Sequence, residues 1–247
     1  MAFHYGGRIV RDGLVLHLDP ADKNSYIGSG TTVKNLSGNG NNGTLVGGVT
    51  FDVNNKGSFK FNGTDGLISI DPSSFISNAE GTIELWFNWD ITSSNTVAQL
   101  CSFYKNTSNA FGISCGNTTS TWDNESIRIQ YELNDIHIYN YAIRNGHNFY
   151  KDGLWHHVVF TVGYGGNNLY VDGENLNNQV NQWIQSTEAL SSIKWLNELV
   201  PTNLWVGRGN SFFSDTKIGI FKVYDRALTK DEILQNYNVT KGRYGLS

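Results

Sequence analysis

Residues 152–173, which read DGLWHHVVFTVGYGGNNLYVDG, are the stretch of the chain that most constrains its fold. The glycine-rich residues 163–166 separate two strand-like runs, 154–162 and 168–172, so the stretch predicts a hairpin. Successive side chains of a strand point to opposite faces, and both faces of the first run carry bulky apolar groups. We therefore expect a central strand that is covered on both sides, as in a sandwich of two sheets.

The composition of the 247-residue chain agrees with an all-β domain. Glycine is abundant at 27 residues, proline is scarce at 3, and aromatic residues make up 13%. Short aromatic runs between frequent turns, with little helical periodicity, are typical of a sandwich or a barrel. We predict one compact domain, because nothing before the glycine- and asparagine-rich residues 37–43 could bury a core of its own.

Charge and hydropathy argue against several classes of function. The 18 Lys and Arg residues are outnumbered by 22 Asp and Glu residues, which gives a net charge of −4. Such a chain gains little from counterion release, so we expect no nucleic-acid partner. No apolar run approaches the roughly 18 residues of a membrane-spanning helix, and residues 1–13 lack the apolar middle of a signal peptide. We therefore expect no membrane insertion.

Alternating runs elsewhere predict the remaining strands. Residues 57–63 and 67–70 flank a glycine turn and predict a hairpin, and residues 126–131 and 135–142 predict another antiparallel pair. For residues 174–202 the pattern leaves a helical turn and an extended loop open. The other predicted strands are residues 13–19, 82–90, 203–209 and 217–224.

One stretch, TKDEILQNYN at residues 229–238, has the pattern of a helix. Thr229 is a good N-cap, and Glu232 lies three residues later, which makes a capping box. Ile233, Leu234 and Tyr237 form an apolar stripe. We expect this short helix to be stable because it docks on the sandwich.

The two cysteines lie on two further strand-like runs, residues 100–104 and 111–115. A hairpin centred near Ser108 would place Cys101 and Cys115 opposite each other, an arrangement that allows a disulfide. The alternative is a pair of reduced, buried thiols, which the lack of a recognisable secretion signal favours.

The order of these motifs resembles the laminin G-like, concanavalin A-like family of jelly-roll domains. The resemblance covers roughly residues 13–240 and is strongest in WHHVVFTV with LYVDG and in VYDRALTKDEI. It implies an all-β sandwich of two curved antiparallel sheets, here with a short C-terminal helix. We expect an N-terminal arm at residues 1–12 and a C-terminal tail at residues 241–247.

The first and last parts of that pattern resemble virion structural proteins of tailed phages, notably marine and cyanobacterial ones. These parts read LVLHLDPADKNSYIGSGTTVKNLSGNGNNGTL and ILQNYNVTKGRYG. The resemblance implies a surface-exposed, non-enzymatic virion component, such as a capsid decoration, fibre or tail-associated protein, assembled in the host cytoplasm. The expected partners are other virion proteins and copies of the same chain. The alternative is an adhesin domain that recognises host surface glycans, since fold alone does not settle function.

The sequence does not have the pattern of carboxylates that is found in hydrolases with this fold. Such enzymes resemble one another in acidic residues spaced along one face of a strand. Here Glu84 is followed at the matching positions by Trp86 and Asn88. His156 and His157 are adjacent on one strand and point to opposite faces, so they cannot chelate one metal together. We expect no catalytic activity.

Two groups of residues are candidate ligand sites, and otherwise we expect no cofactor. Many laminin G-like domains hold calcium at one rim, and the candidates here are Asp65 and Asn62, in a turn with one carboxylate fewer than related sequences. Glycan binding needs exposed aromatic rings beside polar loop groups. The candidates are Trp122, Asp123, Asn124 and Trp183. The alternative is that these tryptophans pack loops or subunit contacts.

The two chain ends are candidate assembly contacts. Arg and Tyr are enriched among the residues that anchor interfaces. The candidates are Tyr5, Arg8, Arg11, Arg243 and Tyr244. The alternative is that both ends fold back on their own domain, with Tyr244 covering the base of the sandwich.

Overall fold

Two antiparallel sheets, one of eight strands and one of nine, form the part of the protein that the computed structural model describes. The described residues are 7–54, 56–90, 92–93, 97–116, 126–134, 136–142, 150–177, 180–182, 190–210 and 212–247. None of the helices within these ranges is both long and apolar enough to cross a membrane.

The strands and helices have the following bounds. In chain order the strands are β1 (Leu14–Leu18), β2 (Thr32–Val33), β3 (Gly43–Val46), β4 (Thr50–Asp52), β5 (Ser58–Lys60), β6 (Leu67–Ile70), β7 (Gly81–Asn88), β8 (Val97–Asn106), β9 (Asn109–Gly116), β10 (Ile127–Leu133), β11 (Ile136–Ala142), β12 (Trp155–Val162), β13 (Asn168–Val171), β14 (Glu174–Asn175), β15 (Val180–Gln182), β16 (Asn203–Val206) and β17 (Lys217–Tyr224). The α-helices are α1 (Leu196–Leu199) and α2 (Lys230–Thr240), and 3₁₀ turns cover Leu190–Ser192 and Lys241–Tyr244.

The strand order confirms the predicted sandwich of two sheets. Sheet A runs β14-β13-β12-β7-β17-β5-β4, with β1 also paired to β17. Sheet B runs β15-β11-β10-β9-β8-β16-β6-β3-β2. The main core lies between the sheets, where Phe160 of β12 stacks on Phe111 of β9 with ring centroids 5.7 Å apart.

Strand β12 is covered on both faces, as the alternation of residues 154–162 predicts. Val158 and Phe160 belong to the main core, whereas Val159 packs in a second cluster with Tyr170 and Ile233. This second cluster lies on the outer face of sheet A, which helix α2 covers. Every residue of β12 is buried as a result.

Helix α2 forms where its capping box predicts. The hydroxyl of Thr229 accepts a hydrogen bond from the backbone N–H of Glu232, whose side chain in turn accepts from the N–H of Thr229. After the helix, Tyr244 stacks on Trp86 with ring centroids 4.3 Å apart. The helix and the following turn thus cover the outer face of sheet A.

The hairpin predicted between residues 57–63 and 67–70 is wrong. Strand β5 lies in sheet A between β4 and β17, while β6 lies in sheet B between β3 and β16. The two strands pair with different partners, and in the loop that connects them Asn62 Oδ1 accepts hydrogen bonds from the backbone N–H groups of Thr64, Asp65 and Gly66. This loop leads the chain from one sheet to the other instead of reversing it within one sheet.

The two cysteines are not opposite each other, contrary to the expected register. Cys101 pairs with Ile113 and Cys115 pairs with Ala98, because an irregularity between Gln99 and Cys101 shifts the β8–β9 ladder. Both are free, buried thiols. Burial raises the pKa of Cys101 to about 12, so this thiol is protonated and unreactive at neutral pH.

Candidate functional site

Three strands bring polar side chains together at one end of sheet A. β7 ends at Asn88, β17 begins at Lys217 and β5 ends at Lys60. Lys217 lies directly opposite Asn88 on one side and directly opposite Lys60 on the other. Directly paired residues of neighbouring strands point to the same face, so the three side chains form one row.

A cavity of ≈ 110 Å³ opens beside this row. One ordered water needs on the order of 10–15 Å³ of such space, so the cavity has room for several waters or for part of a small polar ligand. We call it the polar cleft. It is lined by Lys60, Asn88, Asp90, Thr92, Ser93, Asp215, Thr216 and Lys217.

Asn88 is the buried member of the row, with 3% of its surface exposed. Its amide nitrogen donates a hydrogen bond to the carbonyl oxygen of Gly153, which fixes the orientation of the side chain. Its Oδ1 atom has no hydrogen-bond partner among the described residues. A buried acceptor left unpaired costs about 1–3 kcal/mol, so a donor that reached this atom would recover that energy.

The four charged residues of the polar cleft are not paired with one another. No salt bridge within 4.0 Å joins Lys60, Lys217, Asp90 or Asp215 to another residue of the described ranges. Hydrogen bonds from the backbone N–H and hydroxyl of Thr92 hold the pKa of Asp90 below its ordinary value, and the two lysines add to this effect. The cleft therefore offers ionised donors and acceptors.

A second polar cluster lies beneath helix α2 and is closed to solvent. Glu84 Oε1 accepts from Lys222 Nζ at 2.6 Å and from His157 Nε2 at 2.9 Å, and Oε2 accepts from Asn236 Nδ2 at 2.7 Å. Burial alone would raise the pKa of Glu84, but Lys222 and His157 hold it at about 2. Glu84 is fully buried, so it joins sheet A to α2 and cannot contact a ligand.

His156 lies between two carboxylates near the polar cleft. Its Nδ1 atom is 2.8 Å from Asp172 Oδ2, and its Nε2 atom is 3.2 Å from Asp152 Oδ1. Burial alone would lower the pKa of His156, but hydrogen bonds and charge from the two carboxylates raise it to about 9. The resulting imidazolium holds Asp152 in place, next to Gly153, whose carbonyl oxygen binds Asn88.

The family model that matches the chain is described as the concanavalin A-like lectin/glucanases superfamily, and it matches residues 61–234. The chain belongs to this superfamily. No curated protein matches the chain.

Solved structures share the fold at low identity. The receptor-binding domain of botulinum neurotoxin C/D mosaic serotype has a TM-score of 0.64 and 16% identity, covering 92% of this chain and 51% of that one. The serotype D ligand-binding domain in complex with N-acetylneuraminic acid has a TM-score of 0.63 and 15% identity, covering 92% and 51%. Trypanosoma rangeli sialidase in complex with sialic acid has a TM-score of 0.60 and 16% identity, covering 93% and 33%. This superfamily member thus spans about half the length of the neurotoxin chains and a third of the sialidase.

The predicted calcium ligands take part in loop hydrogen bonds. Asp65 Oδ1 accepts from the N–H of Gly48 at 2.9 Å and from Asn62 Nδ2 at 2.7 Å. Within the described parts of this superfamily member, no group of three or more His, Cys, Asp or Glu side chains could hold a metal ion. Calcium at this turn stays a prediction.

The predicted glycan-binding residues Trp122, Asp123, Asn124 and Trp183 lie outside the described residues, and so does Tyr5. Sequence reasoning missed the polar cleft, because Lys60, Asn88 and Lys217 are far apart in the chain. The available signal was weak: Lys217 begins a predicted strand and Asn88 lies near the end of another, but Lys60 lies in the middle of the predicted strand 57–63.

The described part of each chain end folds back on the domain, as in the alternative interpretation. Arg243 Nη1 lies 2.7 and 2.9 Å from the two carboxylate oxygens of Asp19, and Tyr244 is only 4% exposed. The carbonyl oxygen of Arg8 accepts a hydrogen bond from Gln235 of α2. The side chains of Arg8 and Arg11 are exposed, so their role in assembly stays a prediction.

Proposed function

We propose that this domain binds carbohydrate without transforming it, and that the polar cleft is the binding site. The observation that carries the proposal is Asn88, a buried residue that lines the cleft and whose Oδ1 atom has no hydrogen-bond partner among the described residues. A sugar presents several hydroxyl groups that both donate and accept hydrogen bonds. A few fixed polar groups of this kind are what orient a small ligand in a protein site.

Membership of a superfamily that includes lectins and glucanases supports a carbohydrate ligand. Two of the solved structures with a similar fold are complexes with sialic acid or N-acetylneuraminic acid. At 15–16% identity these structures share only the fold with this chain, so the choice of the polar cleft rests on its own geometry.

The ionisation states of two carboxylates support binding of a sugar rather than its hydrolysis. A glycosidase needs a carboxylic acid that stays protonated until it donates its proton to the leaving group. Glu84 is fully buried and ionised, with a pKa of about 2. In the polar cleft the pKa of Asp90 is held below its ordinary value, which makes this residue a poor general acid.

We propose further that the domain acts on the surface of a tailed-phage particle, as a capsid decoration, fibre or tail-associated component. The basis is the sequence resemblance of residues 14–45 and 233–245 to virion structural proteins. A structural role and recognition of a host glycan can coexist on one such protein. Imaging of particles assembled in the presence of a labelled copy of the chain tests this location. Particles that carry no label would overturn it.

The binding function is tested with an array of host-surface glycans and the purified full chain. We expect binding that falls at least about tenfold in Asn88→Leu, because a buried acceptor that has no partner among the described residues is then lost from the cleft. Asn238→Leu, on the exposed side of α2, is the matched control and should bind as the wild type does. Absence of binding to every glycan overturns the function, and unchanged binding by Asn88→Leu overturns the site.

A further inference from the structure

We propose that the polar cleft selects an acidic sugar, whose carboxylate lies between Lys60 and Lys217. This inference rests on the carbohydrate-binding function proposed above and adds the chemical class of the ligand. Hexuronic acids and sialic acids are sugar types that carry such a carboxylate.

The two lysines form a like-charge pair across neighbouring strands. Lys217 of β17 and Lys60 of β5 are direct partners in the ladder, and both side chains line the polar cleft. Like charges directly opposite each other destabilise a sheet. Neither ammonium group has a carboxylate within 4.0 Å among the described residues, so no ion pair cancels the repulsion, and Asp90 attracts both lysines only from farther away.

A bound carboxylate would remove this repulsion. A lysine ammonium group has three donors and no acceptor, so the ligand group between the lysines must accept hydrogen bonds. An anionic acceptor forms shorter and stronger hydrogen bonds with an ammonium group than a neutral hydroxyl does. A carboxylate has two oxygens and can accept from Lys60 and Lys217 together.

The rest of the polar cleft suits the remaining groups of a sugar. Asp90 and Asp215 can only accept hydrogen bonds when ionised, and sugar hydroxyl groups can donate to them. Asn88 Oδ1 likewise needs a donor, which a hydroxyl or an acetamido N–H supplies. A ligand with a carboxylate at one edge and donors at the other therefore matches the cleft.

The test uses isothermal titration of the full chain with four pairs of probes and two variants. The probes are glucuronic acid and glucose, N-acetylneuraminic acid and its methyl ester, glucose 6-sulfate and glucose, and sialyllactose and lactose. Lys60→Gln/Lys217→Gln removes the lysine pair. Lys23→Gln/Lys34→Gln removes two exposed lysines elsewhere and has the same net charge. Thermal melting checks that both variants are folded.

We expect the wild type to bind at least one carboxylated probe at least about tenfold more tightly than its neutral partner. The Lys60→Gln/Lys217→Gln variant should lose this difference, while the Lys23→Gln/Lys34→Gln control should keep it. If acidic and neutral probes bind equally well, the acidic-sugar inference is wrong while carbohydrate binding stands. If the sulfated probe binds as tightly as the carboxylates, the assignment of a carboxylate between the lysines is wrong. If no sugar binds here or on the glycan array, the proposed function itself is wrong.

Discussion

Lys222 is a buried cation whose charge is matched by Glu84. Both side chains are fully buried, and their charged atoms are 2.6 Å apart. Removing one partner of a buried ion pair leaves the other charge without compensation, whereas replacing both by apolar groups is often neutral. The pair therefore makes the docking of strands β7 and β17 sensitive to single substitutions.

We expect Lys222→Met to lower the free energy of unfolding by about 3–5 kcal/mol, because Glu84 would remain buried and unpaired. Urea denaturation followed by tryptophan fluorescence measures the change. Lys230→Met, at the exposed first position of α2, is the control and should stay within about 0.5 kcal/mol of the wild type. A Lys222→Met protein as stable as this control would show that the buried pair contributes nothing.

His156 predicts a loss of stability at alkaline pH. Its folded pKa of about 9 is above the ordinary value of 6.5, so its stabilising effect is complete below pH 6.5 and disappears as pH rises through 9. The loss is on the order of 3 kcal/mol, since each unit of pKa shift corresponds to about 1.4 kcal/mol. Melting temperatures between pH 6 and pH 10 measure this loss. His156→Gln should be less stable at pH 6 and should show a flatter profile, and an unchanged profile would contradict the assignment.

At the scale of single elements, the capping box of α2 carries a prediction of its own. Thr229→Ala should lower the free energy of unfolding by about 1 kcal/mol, because the N–H of Glu232 loses its acceptor. Chemical denaturation measures this loss. Asn238→Ala, on the exposed side of the same helix, is the control for changes in helix propensity. Equal stability of the two variants would mean that the cap is not needed once the helix has docked.

Local sequence patterns predicted some elements, but they could not predict which strands pair when the strands are far apart in the chain. The β12–β13 hairpin and helix α2 depend on residues within a few positions of each other, and both formed as predicted. The predicted hairpin of residues 57–70 was wrong, because its turn joins two sheets. The predicted register of the cysteines was wrong, because a shift in the β8–β9 ladder cannot be detected from the alternation of apolar residues.

The candidate site could not be found in the sequence for the same reason. Asn88, Lys217 and Lys60 end or begin three strands, and each looks like an ordinary polar residue next to a loop. Only the order β7-β17-β5 in sheet A places them in one row. The charge pattern of the site is therefore a property of strand pairing across more than 100 residues of chain.

At the scale of the whole molecule, the two described chain ends differ in how they contact the domain. At the C-terminal end, Tyr244 stacks on Trp86, and its hydroxyl oxygen accepts a hydrogen bond from the N–H of Ile220 at 3.0 Å. At the N-terminal end, Val10 is held by Asn236, while residues 7 and 8 are exposed. Tyr244 of the tail is thus part of the core of the molecule, whereas residues 7 and 8 are not.

This difference predicts opposite results for two deletions. Removing residues 242–247 should strongly lower the melting temperature, because Trp86 and Trp155 lose the ring of Tyr244. Removing residues 1–8 should leave it nearly unchanged, since Val10 and its bond to Asn236 remain. If the N-terminal arm contacts other virion proteins or copies of the chain, as its candidate residues Tyr5, Arg8 and Arg11 predict, the second deletion should still abolish assembly. Particle incorporation and sedimentation measure this, and a folded, fully assembling deletion variant would rule out the arm as an anchor.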